Sequence, residues 1–231
     1  AYKVNIRSNR CLVVQQNWLR KGFSEMFRLD KGKFIVAPPQ RKQADVTPEE
    51  IRKDRFTFFY ASTPDCHKNF EALCEAARLL EQEVGEDGFK VVLTLSGKEN
   101  RYSDWLYERW GEVKSIEFAG FMSKERLHGH YKSADCFVFP SKVETWGLPI
   151  TEFMEASGNK PMLLADLPYA HETAAGASQV CFFNPSDPRD LKERMKELIQ
   201  DKCVALASVP KLEIEEPKAE SWKELFEILL S

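Results

Sequence analysis

Residues 136–152 read Cys136-Phe-Val-Phe-Pro-Ser-Lys-Val-Glu-Thr-Trp-Gly-Leu-Pro-Ile-Thr-Glu152. The opening run, Cys136–Phe139, is apolar without a break, which suits a strand covered on both faces rather than a half-exposed one. A polar loop follows, and a helix opens at about Leu148. Pro149 is tolerated in a first turn, where its missing N–H has no helical partner. Gly147 lets the backbone approach a ligand closely. The free amides of Gly147 and Leu148 then face the loop as an anion site. Glu144 and Glu152 bracket that site, an order of groups that suits a hydroxyl–diphosphate–ribose ligand. The plainer reading makes them two of the chain's 36 acids, with Glu152 complementing the helix dipole.

The same kind of apolar run recurs along the chain. Strands are expected at Cys11–Val14, Phe34–Ala37, Phe56–Tyr60, Val91–Leu95, Ser115–Phe118, Met162–Ala165 and Val180–Phe183. Between them, apolar residues at helical spacing predict helices over Asn69–Val84, Ser123–Lys132, Leu148–Ser157, Asp187–Gln200 and Glu220–Leu230. Ser123 and Asp187 stand as N-caps, with Pro188 at the first helical position. The last helix carries Trp222, Leu225, Phe226 and Leu229 as its apolar stripe. Strand–helix alternation predicts an α/β fold, a Rossmann-like parallel sheet with helices on both faces. In such sheets ligands bind outside the carboxyl ends of the strands, which directs attention to the strand-to-helix loops. Pro38–Asp54 reads as a linker and Ala207–Ala219 as a second loose stretch.

A chain of 231 residues fits one domain or one and a half. With 33 basic and 36 acidic side chains, a net charge of −3, it lacks the basic excess of a general nucleic-acid binder. No apolar run approaches the length of a membrane-spanning helix. The cysteines (Cys11, Cys66, Cys74, Cys136, Cys181, Cys203) form no C-x-x-C pair, and with the scattered histidines they offer no metal-ligand spacing. Several sit in apolar runs as small hydrophobes, which suits a reducing, cytoplasmic setting. A nicotinamide-binding fold is disfavoured, since no G-x-G-x-x-G follows a predicted strand. The charge is unevenly spread. Residues 1–42 hold ten bases and two acids, a net of +8, and the other 189 hold 23 bases and 34 acids, a net of −11.

Several motifs carry a resemblance. Glu144-Thr-Trp-Gly-Leu-Pro-Ile-Thr-Glu152, preceded by Phe139-Pro-Ser141, resembles the E-x7-E signature of the retaining GT-B glycosyltransferases of family 4. His67-Lys-Asn-Phe70 is similar to that family's turn into the helix after the domain's first strand. Phe118-Ala-Gly-Phe121, Ser123-Lys-Glu-Arg-Leu127 and Tyr131-Lys-Ser-Ala-Asp135 resemble its F-x-G-x-x-S-x-E-x-L and Y-x-x-A-D run. Ala165-Asp-Leu-Pro168, His171-Glu172 and Phe183-Asn-Pro185 follow in order. The match covers roughly residues 55–200 and looks close to bacterial polysaccharide and O-antigen transferases.

The resemblance implies a nucleotide-sugar as donor substrate. It implies that Glu144, the catalytic candidate, contacts the donor sugar and that Glu152 holds the ribose. Lys68 would neutralise the diphosphate without a metal. Thr145, Trp146, Gly147 and Leu148 would meet the sugar or diphosphate, and Phe121 and Met122 would frame the base. No Arg accompanies Lys68 as a second phosphate cation, and Thr145-Trp146 replaces the commoner Gly-Phe. The resemblance also divides the chain: residues 1–45 as remnant of an N-terminal acceptor domain and its linker, and 46–231 as the donor domain with a crossover helix. An acceptor domain missing from the sequence would make the fragment inactive alone. The basic front would suit peripheral contact with the membrane's inner face. A non-catalytic nucleotide-binding or interaction module with the same fold is the alternative.

Overall fold

A computed structural model describes residues 5–40, 46–202 and 205–231. Cys203 and part of the expected linker, 41–45, lie outside the described residues, as do residues 1–4 of the basic front. In chain order the elements are β1 (Leu12–Val14), α1 (Asn17–Phe27), β2 (Phe34–Val36), β3 (Thr57–Tyr60), α2 (Phe70–Val84), β4 (Lys90–Leu93), α3 (Arg101–Trp110), β5 (Ile116–Phe118), α4 (Lys124–Ser133), β6 (Cys136–Phe139), α5 (Leu148–Ser157), β7 (Met162–Ala165), α6 (Pro168–Thr173), β8 (Val180–Phe183), α7 (Pro188–Ile199) and α8 (Trp222–Leu230).

Strands β3 to β8 form one parallel sheet in the order β5-β4-β3-β6-β7-β8. Helices cover both faces, as expected, and every residue of β3, β6 and β7 is buried. This explains why those strands read as solid apolar runs. The chain runs outward from β3 to β5, returns through α4, and runs outward again from β6 to β8. The order reverses between β3 and β6, whose pairing sets Phe58 opposite Cys136 and Phe59 opposite Phe137. At such a switch point doubly wound folds place their ligand crevice, outside the carboxyl ends of the two strands.

The expected caps are in place. The Ser123 hydroxyl accepts the Arg126 N–H at 3.3 Å and the Asp187 carboxylate accepts that of Arg189 at 3.0 Å. Three helices, α1, α3 and α6, go beyond the helices that periodicity predicts. Strands β1 and β2 pair parallel in a small separate sheet, bridged at Val36 to Lys218 in the loose stretch before α8. Helix α1 packs on this sheet through Leu19 and Phe23, against Val14 and Phe34. Helix α8 packs there too, Leu225, Ile228 and Leu229 meeting Ile35 and Ala219. The anticipated apolar stripe is thus split: Leu225 and Leu229 face in, while Trp222 and Phe226 are exposed. Among the described residues, no helix is long and apolar enough to cross a membrane.

Candidate functional site at the β3–β6 crevice

The loop after β3 ends in a short 3-10 turn, Cys66–Lys68, and passes through Asn69 into α2. Asn69 adopts a left-handed conformation (φ 58°), which its short polar side chain tolerates better than most. That side chain is buried, and its amide donates to the carbonyls of Pro140 and Pro185, both at 2.9 Å. One residue therefore joins the loops after β3, β6 and β8. The Tyr60 hydroxyl donates to the Lys68 carbonyl at 2.8 Å. Burial holds the Tyr60 phenol well above its ordinary pKa, so it stays a donor.

Fixed in this way, Lys68 reaches the loop after β6. Its Nζ lies 2.6 Å from Oε1 of Glu144, with side-chain exposures of 16% and 13%. The two residues are 76 apart in sequence, and the fold alone brings them together. The pair is poorly screened by water, so the ammonium and carboxylate interact more strongly than a surface pair would.

The loop carrying Glu144 is anchored at both ends. At its start the Tyr169 hydroxyl donates to the Ser141 carbonyl at 2.6 Å, and the Lys142 N–H donates to the His67 carbonyl at 2.8 Å. At its end the Thr173 hydroxyl donates to the Trp146 carbonyl, and the Trp146 indole donates to Thr151 Oγ1 at 3.0 Å. Gly147 then caps α5 with φ 90°, a conformation a side chain at this position would strain. A Cβ there would also press on Ile150 Cδ1 at 3.2 Å. Leu148 and Pro149 begin the helix as expected. Thr145 and Leu148 are exposed at the loop surface, while Gly147 is buried.

Glu152 lies one turn into α5 and accepts the Tyr131 hydroxyl of α4 at 3.0 Å. Phe121 and Met122 follow β5. The Phe121 ring is 92% exposed, whereas Met122 is 6% exposed and belongs to the main core. Among the described residues, no three His, Cys, Asp or Glu side chains come together in a metal-holding group.

Asn69, Tyr169, Thr173 and Glu172 shape the site or its supports without having been singled out for that. Glu172 belongs to a motif of the resemblance, yet its carboxylate accepts the backbone N–H groups of Asn17 and Trp18, each at 2.7 Å. It caps α1 from across the molecule. Burial raises its pKa against the opposing pull of these two donors.

The family model described as glycosyl transferases group 1 matches residues 41–213. The chain belongs to this family. It is 30% identical over 145 residues to the O-antigen chain mannosyltransferase B of Escherichia coli, an alignment covering 62% of this chain and 36% of that protein. The sucrose-phosphate synthase of Thermosynechococcus elongatus superposes with a TM-score of 0.67 at 17% identity, covering 84% of this chain and 50% of that one. Anabaena HepE, solved in complex with UDP and glucose, superposes with a TM-score of 0.65 at 14% identity, covering 90% and 61%. The chain thus spans about a third of the curated relative's length, and its likeness to the solved structures shows a shared Rossmann-like fold.

Proposed function

We propose that the β3–β6 crevice binds a nucleotide-sugar and that the chain supplies the donor-binding half of a retaining, metal-independent family 4 glycosyltransferase. The observation that carries this reading is the convergence of Lys68 and Glu144 beside the glycine-opened start of α5. In this reading the Lys68 ammonium and the Gly147 and Leu148 amides take the diphosphate, where they stabilise the charge that develops as the leaving group departs. A diphosphate competes with Glu144 for Lys68. Glu144 is then released toward the sugar hydroxyls, with Thr145 and Trp146 beside it. Glu152 accepts the ribose hydroxyls, held in place by Tyr131. Phe121 offers an exposed ring to the base, and Met122 contributes backbone only, its side chain being part of the core.

The E. coli relative's name and the UDP and glucose bound to the Anabaena protein support the substrate class. The distinct small cores around β1–β2 support assigning residues 1–45 to the acceptor side, with α8 of the 46–231 donor domain crossing back onto it through Leu225, Ile228 and Leu229. On this reading, acceptor binding and transfer need an acceptor-side domain, and the basic front offers that domain a route to anionic lipid.

Isothermal titration with UDP, GDP and dTDP tests the proposal. At least one is expected to bind, and Glu152→Ala should weaken that nucleotide about tenfold, the scale of a charge-assisted hydrogen bond. Folded protein that binds none of the three would overturn the reading.

A further inference from the structure

The donor loop is wired to the amino-terminal unit by buried hydrogen bonds. Gln16, immediately before α1, is fully buried. Its amide nitrogen donates to the Tyr169 carbonyl at 3.0 Å and to Thr173 Oγ1 at 2.8 Å. Its amide oxygen accepts the Trp18 indole N–H at 2.6 Å. A glutamine amide has two N–H donors and one carbonyl acceptor, and all three functions are engaged here. Thr173 passes the connection on, since its hydroxyl accepts from Gln16 and donates to the Trp146 carbonyl. Tyr169 passes on a second branch, with its carbonyl held by Gln16 and its hydroxyl donating to Ser141. Ser141 and Trp146 are the two ends of the loop that carries Glu144. On the other side, Glu172 grips the amino end of α1 through Asn17 and Trp18. Helix α1 has no side-chain cap of its own.

We propose that Gln16 and Thr173 are positioning residues that register the donor loop against the β1–α1–β2 unit, so that the seating of that unit sets the placement of Trp146 and Gly147. The proposal rests on the donor-site reading for its functional meaning. Its physical core is the Thr173 hydroxyl, which accepts from Gln16 and donates to Trp146: Val at 173 keeps the shape of Thr but breaks both links at once. In a buried relay each such break leaves a partner unsatisfied, and this is felt beyond the mutated residue.

The test combines the indole region of 1H–15N spectra with isothermal titration of UDP, GDP and dTDP, on wild type, Gln16→Leu, Thr173→Val, Thr173→Ser and the double variant Gln16→Leu/Thr173→Val. Trp18 and Trp146 lie on opposite sides of the relay, so each reports a change made on the other. Gln16→Leu is expected to move the Trp146 resonance, and Thr173→Val the Trp18 resonance, while Thr173→Ser keeps the wild-type positions. Each disabling variant should weaken nucleotide binding about five- to tenfold, with the double variant no weaker than the worse single one. A loss of stability alone would not move an indole across the relay or be rescued by serine. If Gln16→Leu fails to fold, the Val and Ser pair at 173 decides the matter. An unmoved Trp18 resonance in Thr173→Val, or additive losses in the double variant, would overturn the proposal. A wild type that binds none of the three would remove the donor-site reading and leave the indole result to judge the relay by itself.

Discussion

Glu99 shows how a single side chain orders a loop at the carboxyl end of the sheet. It lies in the loop after β4, and its carboxylate accepts the Ser96 N–H at 2.6 Å, the Ser96 hydroxyl at 2.8 Å, and the N–H groups of Gly97 and Lys98 at 3.1 Å. Partial burial works against its charge, but these donors outweigh it and hold the pKa down at about 2, from an ordinary 4.5. A carboxyl whose folded pKa is depressed stabilises the fold fully above its unfolded pKa and loses that contribution as pH falls toward the folded value. The melting-temperature gap between wild type and Glu99→Gln should therefore be widest above about pH 5 and should close as pH falls toward 2. A gap that does not change with pH would contradict this role. Residue-scale features differ in how legible they were. Gly147 and the two glutamates announced themselves by spacing along one short stretch. The Lys68–Glu144 contact joins residues 76 apart, and only the pairing of β3 with β6 brings them together. Gln16, Tyr169 and Thr173 carry no sequence signal, because a buried relay uses ordinary residue types whose partners lie far along the chain.

At the scale of elements, the strands were the legible part. Helices on both faces leave β3, β6 and β7 wholly buried, so apolar runs mark them without ambiguity. Helix α3 was hidden because only Ser103, Leu106 and Trp110 of its ten residues are buried, too few to make a clear stripe. Its start is instead set by a capping box, in which Asn100 accepts from Tyr102 and Ser103 while the Ser103 hydroxyl accepts from Asn100. The Asn100 amide also donates to the Pro64 carbonyl at 2.7 Å, tying the loops after β3 and β4 together. Asn100→Ala should destabilise the protein by about 1–2 kcal/mol in urea unfolding, the usual cost of a lost N-cap, and a cost near zero would show that the cap is dispensable. Helix α6 is only six residues long, too short for periodicity to declare it. Its Tyr169, Glu172 and Thr173 are held by contacts with the amino-terminal unit and the donor loop.

At the scale of the molecule, two bodies of unequal size meet across α6. The larger is the six-stranded sheet with its crevice. The smaller is the β1–β2 sheet with α1 and α8, which leaves Val13, Trp222, Phe226 and Leu230 exposed. The net charge of −3 averages a basic front and an acidic remainder. At the switch point the Lys68 ammonium and the Glu144 carboxylate neutralise each other, so in the proposed reading a diphosphate must part them before it is held. That competition makes an unusual prediction. For a nucleoside diphosphate without sugar, Glu144 is a rival for Lys68 rather than a contact. The most direct measurement is titration of the tightest-binding nucleoside diphosphate against wild type, Lys68→Ala and Glu144→Gln. The expected result is a loss of at least about tenfold for Lys68→Ala and an affinity equal to or tighter than wild type for Glu144→Gln. Unchanged binding by Lys68→Ala, or a loss of comparable size in both variants, would contradict the assignment of the diphosphate to Lys68.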